Sequence, residues 1–171
     1  MIFLSIGSNL NSQFGNRFEN INKSLLLLKN ENIKILKISS FYETPSYPNN
    51  SNPKFINIAI KIKFEFSVLN LLNIIARVEK AMGRERKAKN NPRTCDIDII
   101  DFNGLIENSV SINLPHPRIC ERNFVLYPLF EIQPNWVHPK NNKKIDILIE
   151  NLEIKTRNEI TRVKESGILV Q

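Results

Sequence analysis

The segment FINIAIKIKFEF, residues 55–66, alternates between two kinds of side chain with almost no exception. Because successive side chains of a β-strand point to opposite faces, a period of two predicts a long strand with one buried face. The four isoleucines and Phe64 form that face, whereas the other face carries Phe55, Asn57 and three charged residues. The chain therefore contains a sheet of which one side packs against other elements.

The rest of the chain supplies the helices and strands of an α+β fold. The predicted elements are, in chain order, a buried strand over 1–7, a helix over 16–29, a strand over 33–42, the strand over 55–66, a helix over 67–83 and a strand over 94–102. Ser67 is a suitable N-cap for the second helix, and Gly83 can end it. This order predicts a ferredoxin-like sandwich, mainly an antiparallel sheet with helices on one face and the other face open for a ligand.

After Gly104 the pattern is weaker. We expect a short extended piece near Val110 and helical periodicity from Ile145 to about Val163. Since there is no repeat and no low-complexity linker, residues 1–171 are expected to form a single domain, with a C-terminal tail after about residue 139.

Charge and targeting signals narrow the class of protein. The chain has 24 Lys and Arg against 17 Asp and Glu, a net charge of +7 that favours anionic partners. Its two cysteines form no disulfide framework, its first residues lack the basic region of a signal peptide, and no apolar stretch reaches membrane-spanning length. We expect a cytoplasmic protein that does not bind membranes.

The segment NPRTCDIDII, residues 91–100, places two acids on one strand face. Asp96 and Asp98 are two residues apart and point the same way, while Ile97 and Ile99 point into the core. Two neighbouring carboxylates repel each other unless a cation lies between them, and such oxygen ligands suit Mg²⁺ with bound phosphate. Two acids in this pattern also occur on an ordinary solvated strand. The neighbouring residues must therefore decide whether the pair binds a metal.

A basic loop precedes the acids. Residues 84–93, RERKAKNNPR, carry five cations, and a polyphosphate bound to a metal would meet them directly. Alone, this loop would equally fit a solvated surface or a nucleic-acid patch. The chain contains neither a P-loop nor a Rossmann glycine pattern, so any phosphates must be held by side chains and metal.

With these residues in view, PRTCDIDIIDFNG resembles the signature of the 6-hydroxymethyl-7,8-dihydropterin pyrophosphokinases, enzymes of folate biosynthesis. The resemblance extends to IGSNL, SSFYETPS, FINIAI, VEKAMGRERKAK and LPHPRICERNFVLYPLFEI, and it covers most of the chain up to about Pro139. The family fold is a ferredoxin-like α+β sandwich. The activity it implies is transfer of the β,γ-diphosphate of ATP to the hydroxymethyl group of the pterin, with release of AMP.

The resemblance also implies roles for individual residues. Asp96 and Asp98 would bind two Mg²⁺ ions, and Arg84 and Arg93 would be catalytic by neutralising charge on the transferring group. The positions that match ATP contacts are Arg86, Lys87, Ile99, Asn113, His116 and Arg122. The positions that match the pterin pocket are Thr44, Pro45, Tyr47, Phe55, Asn57 and Phe124. A flat heterocycle could stack between Phe55 and Phe124 while Asn57 reads its amide edge.

The chain departs from the family pattern at several positions. KAKNN stands where a loop tryptophan is frequent, and four further departures are Tyr47, Asp101, Ser111 and Pro117. These departures affect the adenine and loop contacts and leave the two acids intact.

The resulting hypothesis is a monomeric pyrophosphokinase whose partners are the small molecules ATP and the reduced pterin. Two other classes use the same features: a basic nucleic-acid-binding module and a two-metal nuclease. The aromatic-rich strand of RNA-recognition domains is missing from the sequence, so we expect no nucleic-acid partner.

Overall fold

The computed structural model describes residues 1–47, 51–84 and 91–163. Its strands are β1 (Ile2–Ser8), β2 (Lys34–Ile38), β3 (Tyr42–Thr44), β4 (Phe55–Lys63), β5 (Asp96–Phe102), β6 (Glu107–Asn108), β7 (Asn113–Leu114) and β8 (Thr161–Arg162). Its helices are α1 (Arg17–Asn30), α2 (Val68–Ala81), α3 (Asn123–Ile132), α4 (Ile145–Glu150) and α5 (Ile154–Asn158). None of these helices is long and apolar enough to cross a membrane.

One antiparallel sheet organises the molecule. Its strands lie in the order β5-β1-β4-β3-β8, and β2 pairs with the far end of β4. The first elements follow the predicted order of strand, helix, strand, strand, helix, strand, except that the first strand after α1 is divided into β2 and β3. The structure therefore confirms the α+β, ferredoxin-like prediction.

The first core lies between the sheet and the helices α1 and α2. The isoleucines of β4 that the alternation assigned to the buried face are at most 2% exposed, and they pack with Leu25, Leu71 and their neighbours. Local signals start both helices. Asn16 and Glu19 form a capping box at α1, and the Ser67 hydroxyl accepts the Asn70 amide at α2.

A second core covers part of the opposite face, which corrects the prediction that this face is open. Phe3, Ala59 and Ile100 point to that side and pack against α3, α4 and Trp136. The C-terminal tail contributes Ile145 and Leu148 to this core. The start of β5 lies outside this core, and the side chains of Asp96 and Asp98 there are partly exposed.

Three predicted elements differ in detail. The strand over 33–42 is divided into β2 and β3, because the Ser39 hydroxyl accepts the Ala59 amide in place of a backbone carbonyl. The extended piece near Val110 is a hairpin of β6 and β7 with Val110 in its turn. The predicted tail helix is two short helices followed by β8, which pairs with β3.

Candidate active site

The strand register places two of the predicted site residues, Asp96 and Asn57, in one row across the sheet. Asp96 pairs with Gly7, Gly7 pairs with Asn57, and Asn57 pairs with Tyr42. An added Cβ at Gly7 would lie 3.0 Å from the Asn57 Oδ1 atom and 3.5 Å from the Phe55 ring. A glycine at this position therefore lets the Asn57 and Phe55 side chains lie over β1.

The two acids at the start of β5, Asp96 and Asp98, are held by cations. Asp96 forms ion pairs with Arg84 and Arg93, each at 2.7 Å. Asp98 pairs with Arg122 at 3.1 Å, and the His116 Nε2 atom lies 3.9 Å from the same carboxylate. The structure thus brings both predicted metal ligands, both predicted catalytic arginines and two of the predicted ATP residues into one cluster.

The end of α2 determines where Arg84 lies. Gly83 adopts φ +77. Its backbone amide donates to the Lys80 carbonyl, and the Arg84 backbone amide donates to the Glu79 carbonyl. This is the hydrogen-bond pattern of a Schellman cap. This cap turns the chain back so that the Arg84 side chain meets the buried Glu79 carboxylate. Glu79 also accepts the Ile97 amide at 2.9 Å, so the same carboxylate fixes β5.

Opposing effects act on the ionisation of two site residues. Burial lowers the pKa of Arg84, but the carboxylates of Asp96 and Glu79 outweigh it and raise the pKa above its ordinary value. Burial also lowers the pKa of His116, more than the nearby Asp98 carboxylate raises it. The guanidinium is therefore charged and the imidazole is neutral near pH 7.

Three of the predicted pterin residues, Thr44, Phe55 and Asn57, lie at the other end of the row. The buried Asn57 donates from Nδ2 to the Thr44 hydroxyl at 3.1 Å. The guanidinium of Arg93 lies over the Phe55 ring at 5.4 Å, and that of Arg122 lies over the Phe124 ring at 5.3 Å. Each predicted stacking ring is thus joined to the charged cluster by one arginine.

Other predicted residues lie farther from this cluster. The Ile99 side chain is buried in the first core, on the face opposite Asp98, so it can meet a nucleotide only through its backbone. Asn113 is exposed on β7, and Tyr47 is 86% exposed. Pro45 is half-buried next to Thr44. Arg86 and Lys87 lie outside the described residues.

Two residues that the sequence analysis did not select are built into the site. Asn9 is 2% exposed and hydrogen-bonds the backbone of Arg93, and Glu79 is 3% exposed between α2 and β5. Both join segments that are far apart in sequence, so the spacing of residues could not reveal them. Their only sequence signal is that each lies within a motif that carried the family resemblance.

The chemistry of the cluster suits a polyphosphate with a divalent cation. Its three acids, Asp96, Asp98 and Glu79, balance the arginines Arg84, Arg93 and Arg122. The buried Nε of Arg93 has no hydrogen-bond partner among the described residues. An anion would satisfy this donor, and a cation would take over the carboxylates that the arginines now occupy.

No group of three His, Cys or acidic side chains in the described part of the chain could hold a metal ion. A metal ion at this site would therefore be coordinated by the carboxylates of Asp96 and Asp98 together with oxygen atoms of the bound ligand. That arrangement is typical of Mg²⁺, which keeps water and substrate phosphates in its coordination shell.

Comparisons with known proteins show the family to which the chain belongs. Residues 3–134 match the family model described as 7,8-dihydro-6-hydroxymethylpterin-pyrophosphokinase. The 2-amino-4-hydroxy-6-hydroxymethyldihydropteridine pyrophosphokinase of Aquifex aeolicus is 35% identical over 144 residues, which are 84% of this chain and 87% of that protein. The protein of the same name from Bacillus subtilis is 34% identical over 131 residues, 76% of each.

Longer relatives and solved structures also match. The folic acid synthesis protein FOL1 of Dictyostelium discoideum is 38% identical over 139 residues, 81% of this chain, and the chain spans about a fifth of its length. A crystal structure titled Plasmodium falciparum HPPK-DHPS wild type with SDX-DHP matches with a TM-score of 0.66 and 16% identity, covering 94% of this chain and 46% of that one. At this identity the structural match shows the shared fold.

Proposed function

Because the chain belongs to the 7,8-dihydro-6-hydroxymethylpterin-pyrophosphokinase family, we propose that it transfers the β,γ-diphosphate of ATP to 6-hydroxymethyl-7,8-dihydropterin in folate biosynthesis. The hydroxymethyl oxygen attacks the β-phosphorus, the bond from that phosphorus to the α,β-bridging oxygen breaks, and AMP leaves. The observation that carries this proposal is the row in which Asp96, with its two arginines, lies one strand away from Gly7 and two from Asn57.

The charged residues would contribute most to catalysis, because transfer of a phosphoryl-type group depends on positioning and on charge neutralisation. Arg84 and Arg93 approach the same carboxylate from two sides, so both lie next to the place where the phosphates would be bound. Arg122 and the neutral His116 lie beside Asp98 and extend the binding surface towards the nucleotide. Two Mg²⁺ ions held by Asp96 and Asp98 would neutralise charge on the phosphates.

The apolar and amide residues orient the pterin. Phe55 and Phe124 offer ring faces for a flat heterocycle. Asn57 is held by Thr44, so its amide can recognise polar edge atoms without first losing rotamer freedom. In this proposal the phosphates bind beside β5 and the pterin beside β4, with Gly7 of β1 between them in the same sheet.

We further propose that residues 1–171 act as one domain. The segment after residue 139 contributes Ile145, Leu148 and Leu152 to the second core and a strand to the sheet. This packing favours a structural role for the C-terminal tail.

The test is an AMP-release assay with ATP, Mg²⁺ and the reduced pterin. We expect AMP and the pterin diphosphate to form in equal amounts, with no AMP when the pterin is omitted. Pterin-independent ATP hydrolysis, or cleavage of added nucleic acid with ATP unchanged, would contradict the proposal.

A further inference from the structure

We infer that Asn9 is a positioning residue that holds the phosphate side and the pterin side of the site in one fixed geometry. Asn9 directly follows β1, and its side chain is not hydrogen-bonded to Asp96 or Asp98. Its side chain is almost fully buried, yet it bonds to two segments that both carry residues of the site. The inference rests on the proposed function and adds to it a residue to which no role has been assigned.

The first of these segments leads into β5. The Asn9 amide donates to the Arg93 carbonyl at 3.1 Å, and the Arg93 amide donates to the Asn9 Oδ1 atom at 2.7 Å. This pair of hydrogen bonds fixes the Arg93 backbone from both sides. The Arg93 side chain then reaches Asp96 and covers Phe55, so Asn9 determines where an arginine of the phosphate side begins.

The second segment connects β3 to β4. The Asn9 Nδ2 atom donates to the Ser46 hydroxyl at 3.2 Å and to the Pro53 carbonyl at 3.1 Å. The Ser46 hydroxyl also donates to the Pro53 carbonyl, at 2.6 Å. Asn9 thus holds together the two ends of the segment that begins after Thr44 and ends before Phe55.

The chemistry of the position suits asparagine in particular. The side chain accepts one hydrogen bond from an amide and donates two others, although only 2% of Asn9 is exposed. Aspartate of the same size lacks the donors and would bring a buried charge, while serine offers one donor only. A side chain that only filled space would need none of these groups.

Asn20, near the start of α1, provides a matched control. It is fully buried, donates to the Leu10 carbonyl at 2.7 Å and to the Ser8 hydroxyl at 3.4 Å, and accepts from the Ser12 hydroxyl at 2.5 Å. These partners lie at the end of β1 and in the loop that follows it, and none of them is a residue of the site. Asn20→Ala therefore removes hydrogen bonds of similar number and burial without releasing Arg93 or Ser46.

The experiment compares wild type with Asn9→Ala, Asn20→Ala and Ser46→Ala. It measures the unfolding midpoint, the Kd of a non-hydrolysable ATP analogue with Mg²⁺, the Kd of the reduced pterin with that analogue bound, and kcat. We expect Asn9→Ala to weaken both ligands by about tenfold and to lower kcat. Asn20→Ala should lower the unfolding midpoint comparably and leave both Kd values near those of wild type.

Ser46→Ala separates the two sides, and it remains informative should Asn9→Ala fail to fold. The variant removes the Asn9–Ser46 and Ser46–Pro53 hydrogen bonds on the pterin side and leaves both bonds to Arg93 in place. The pterin Kd should therefore rise while the nucleotide Kd stays the same. The inference is overturned if Ser46→Ala leaves the pterin Kd unchanged, or if Asn9→Ala matches Asn20→Ala in every measurement. A wild-type protein that releases no AMP would instead contradict the proposed function.

Discussion

At the scale of single residues, the arginines of the site are held in place by contacts that do not involve a ligand. Arg84 lies between Glu79 and Asp96. Arg93 and Arg122 each pair with one acid of β5 and lie over one aromatic ring. Because these cations are already oriented, binding a polyphosphate costs less side-chain entropy than it would on a flexible basic surface.

Removing one charge from β5 tests the acid pair. Asp98→Asn keeps the size of the side chain and an acceptor for Arg122, but it removes the negative charge that a metal requires. We expect kcat to fall by more than about 100-fold. Because Asp98 is about one-third exposed, the free energy of unfolding should change by less than about 1 kcal/mol.

Steady-state AMP release and urea unfolding measure these two effects. Asp146→Asn, on the exposed side of α4, is the control and should keep full activity. Near-normal turnover of Asp98→Asn would rule out a metal at this acid.

Gly7 offers a second residue-scale test. In Gly7→Ala the new methyl group would lie 3.0 Å from the Asn57 Oδ1 atom, so the Asn57 amide must shift by a few tenths of an ångström from the position in which Thr44 holds it. We expect the pterin KM to rise by about tenfold while the nucleotide Kd changes little. Equal weakening of pterin and nucleotide would show that Gly7 supports the sheet and not the pterin pocket specifically.

At the scale of elements, the end of α2 positions an arginine of the candidate site. The Schellman cap at Gly83 places Arg84 against Glu79, and Glu79 in turn binds the β5 backbone. The Thr94 hydroxyl donates to the Met82 carbonyl at 2.8 Å, so the segment before β5 is tied to the same helix end. A change in this cap should therefore affect catalysis as well as stability.

Two glycines test that expectation as a matched pair. Gly83 and Gly104 have φ +77 and +75, and among the described residues no heavy atom lies within 4 Å of a Cβ added at either position. Each substitution by alanine should cost about 1 to 2 kcal/mol of unfolding free energy through backbone strain alone. Only Gly83→Ala should also lower kcat, because only Gly83 precedes a site arginine.

Unfolding curves and AMP-release assays on Gly83→Ala and Gly104→Ala test these expectations for stability and kcat. Gly83→Asn should recover part of the loss, since asparagine tolerates positive φ better than alanine. Equal kcat values for Gly83→Ala and Gly104→Ala would contradict the argument.

Elements with strong periodicity were predictable from sequence, and elements whose form depends on tertiary partners were not. The alternation of β4 and the caps at Ser67 and Gly83 are local signals, and the structure confirms all three. Helix α3 was not predicted, because its run NFVLYPLFEI is apolar on nearly every side and contains Pro128. The division of the strand over 33–42 was missed because it depends on the distant Ala59.

At the scale of the whole molecule, two cores occupy opposite faces of one sheet, and the site lies where the second core ends. Asp101 joins β5 to the second core. Its carboxylate accepts hydrogen bonds from the Trp136 Nε1 atom at 2.9 Å and from the Gly104 amide at 2.8 Å. An acid where the family usually has an apolar residue thus has a buried partner in this chain. Sequence alone could not predict it, since the partner lies 35 residues away.

The C-terminal region also makes stability depend on pH. His138 is buried, and its Nδ1 atom accepts the amides of Lys140 and Asn141. Burial lowers its pKa, although Asp101 opposes that shift. Below an unfolded pKa of about 6.5 the unfolded chain takes up a proton that the folded chain does not, so the free energy of unfolding falls until pH reaches the folded pKa.

We expect His138→Asn, which keeps an acceptor but cannot be protonated, to lose less stability than wild type between about pH 7.5 and about pH 5.5. Urea unfolding at the two pH values measures the difference. The pKa of His116 is lowered as well, so His116→Asn should remove another part of the slope and the double variant most of it. The same pH loss in His138→Asn and wild type would contradict this assignment.

The position of Trp136 has a consequence for spectroscopy. It is the only tryptophan of the chain, and it is buried in the second core with its indole bonded to Asp101 and its ring 5.7 Å from that of His138. Its fluorescence therefore reports the attachment of the C-terminal segment to β5, with a blue-shifted emission that moves to longer wavelength when the segment detaches. Ligands bound on the row from Asp96 to Asn57 will change this signal little, so a silent tryptophan in a titration of this protein is not evidence that nothing has bound.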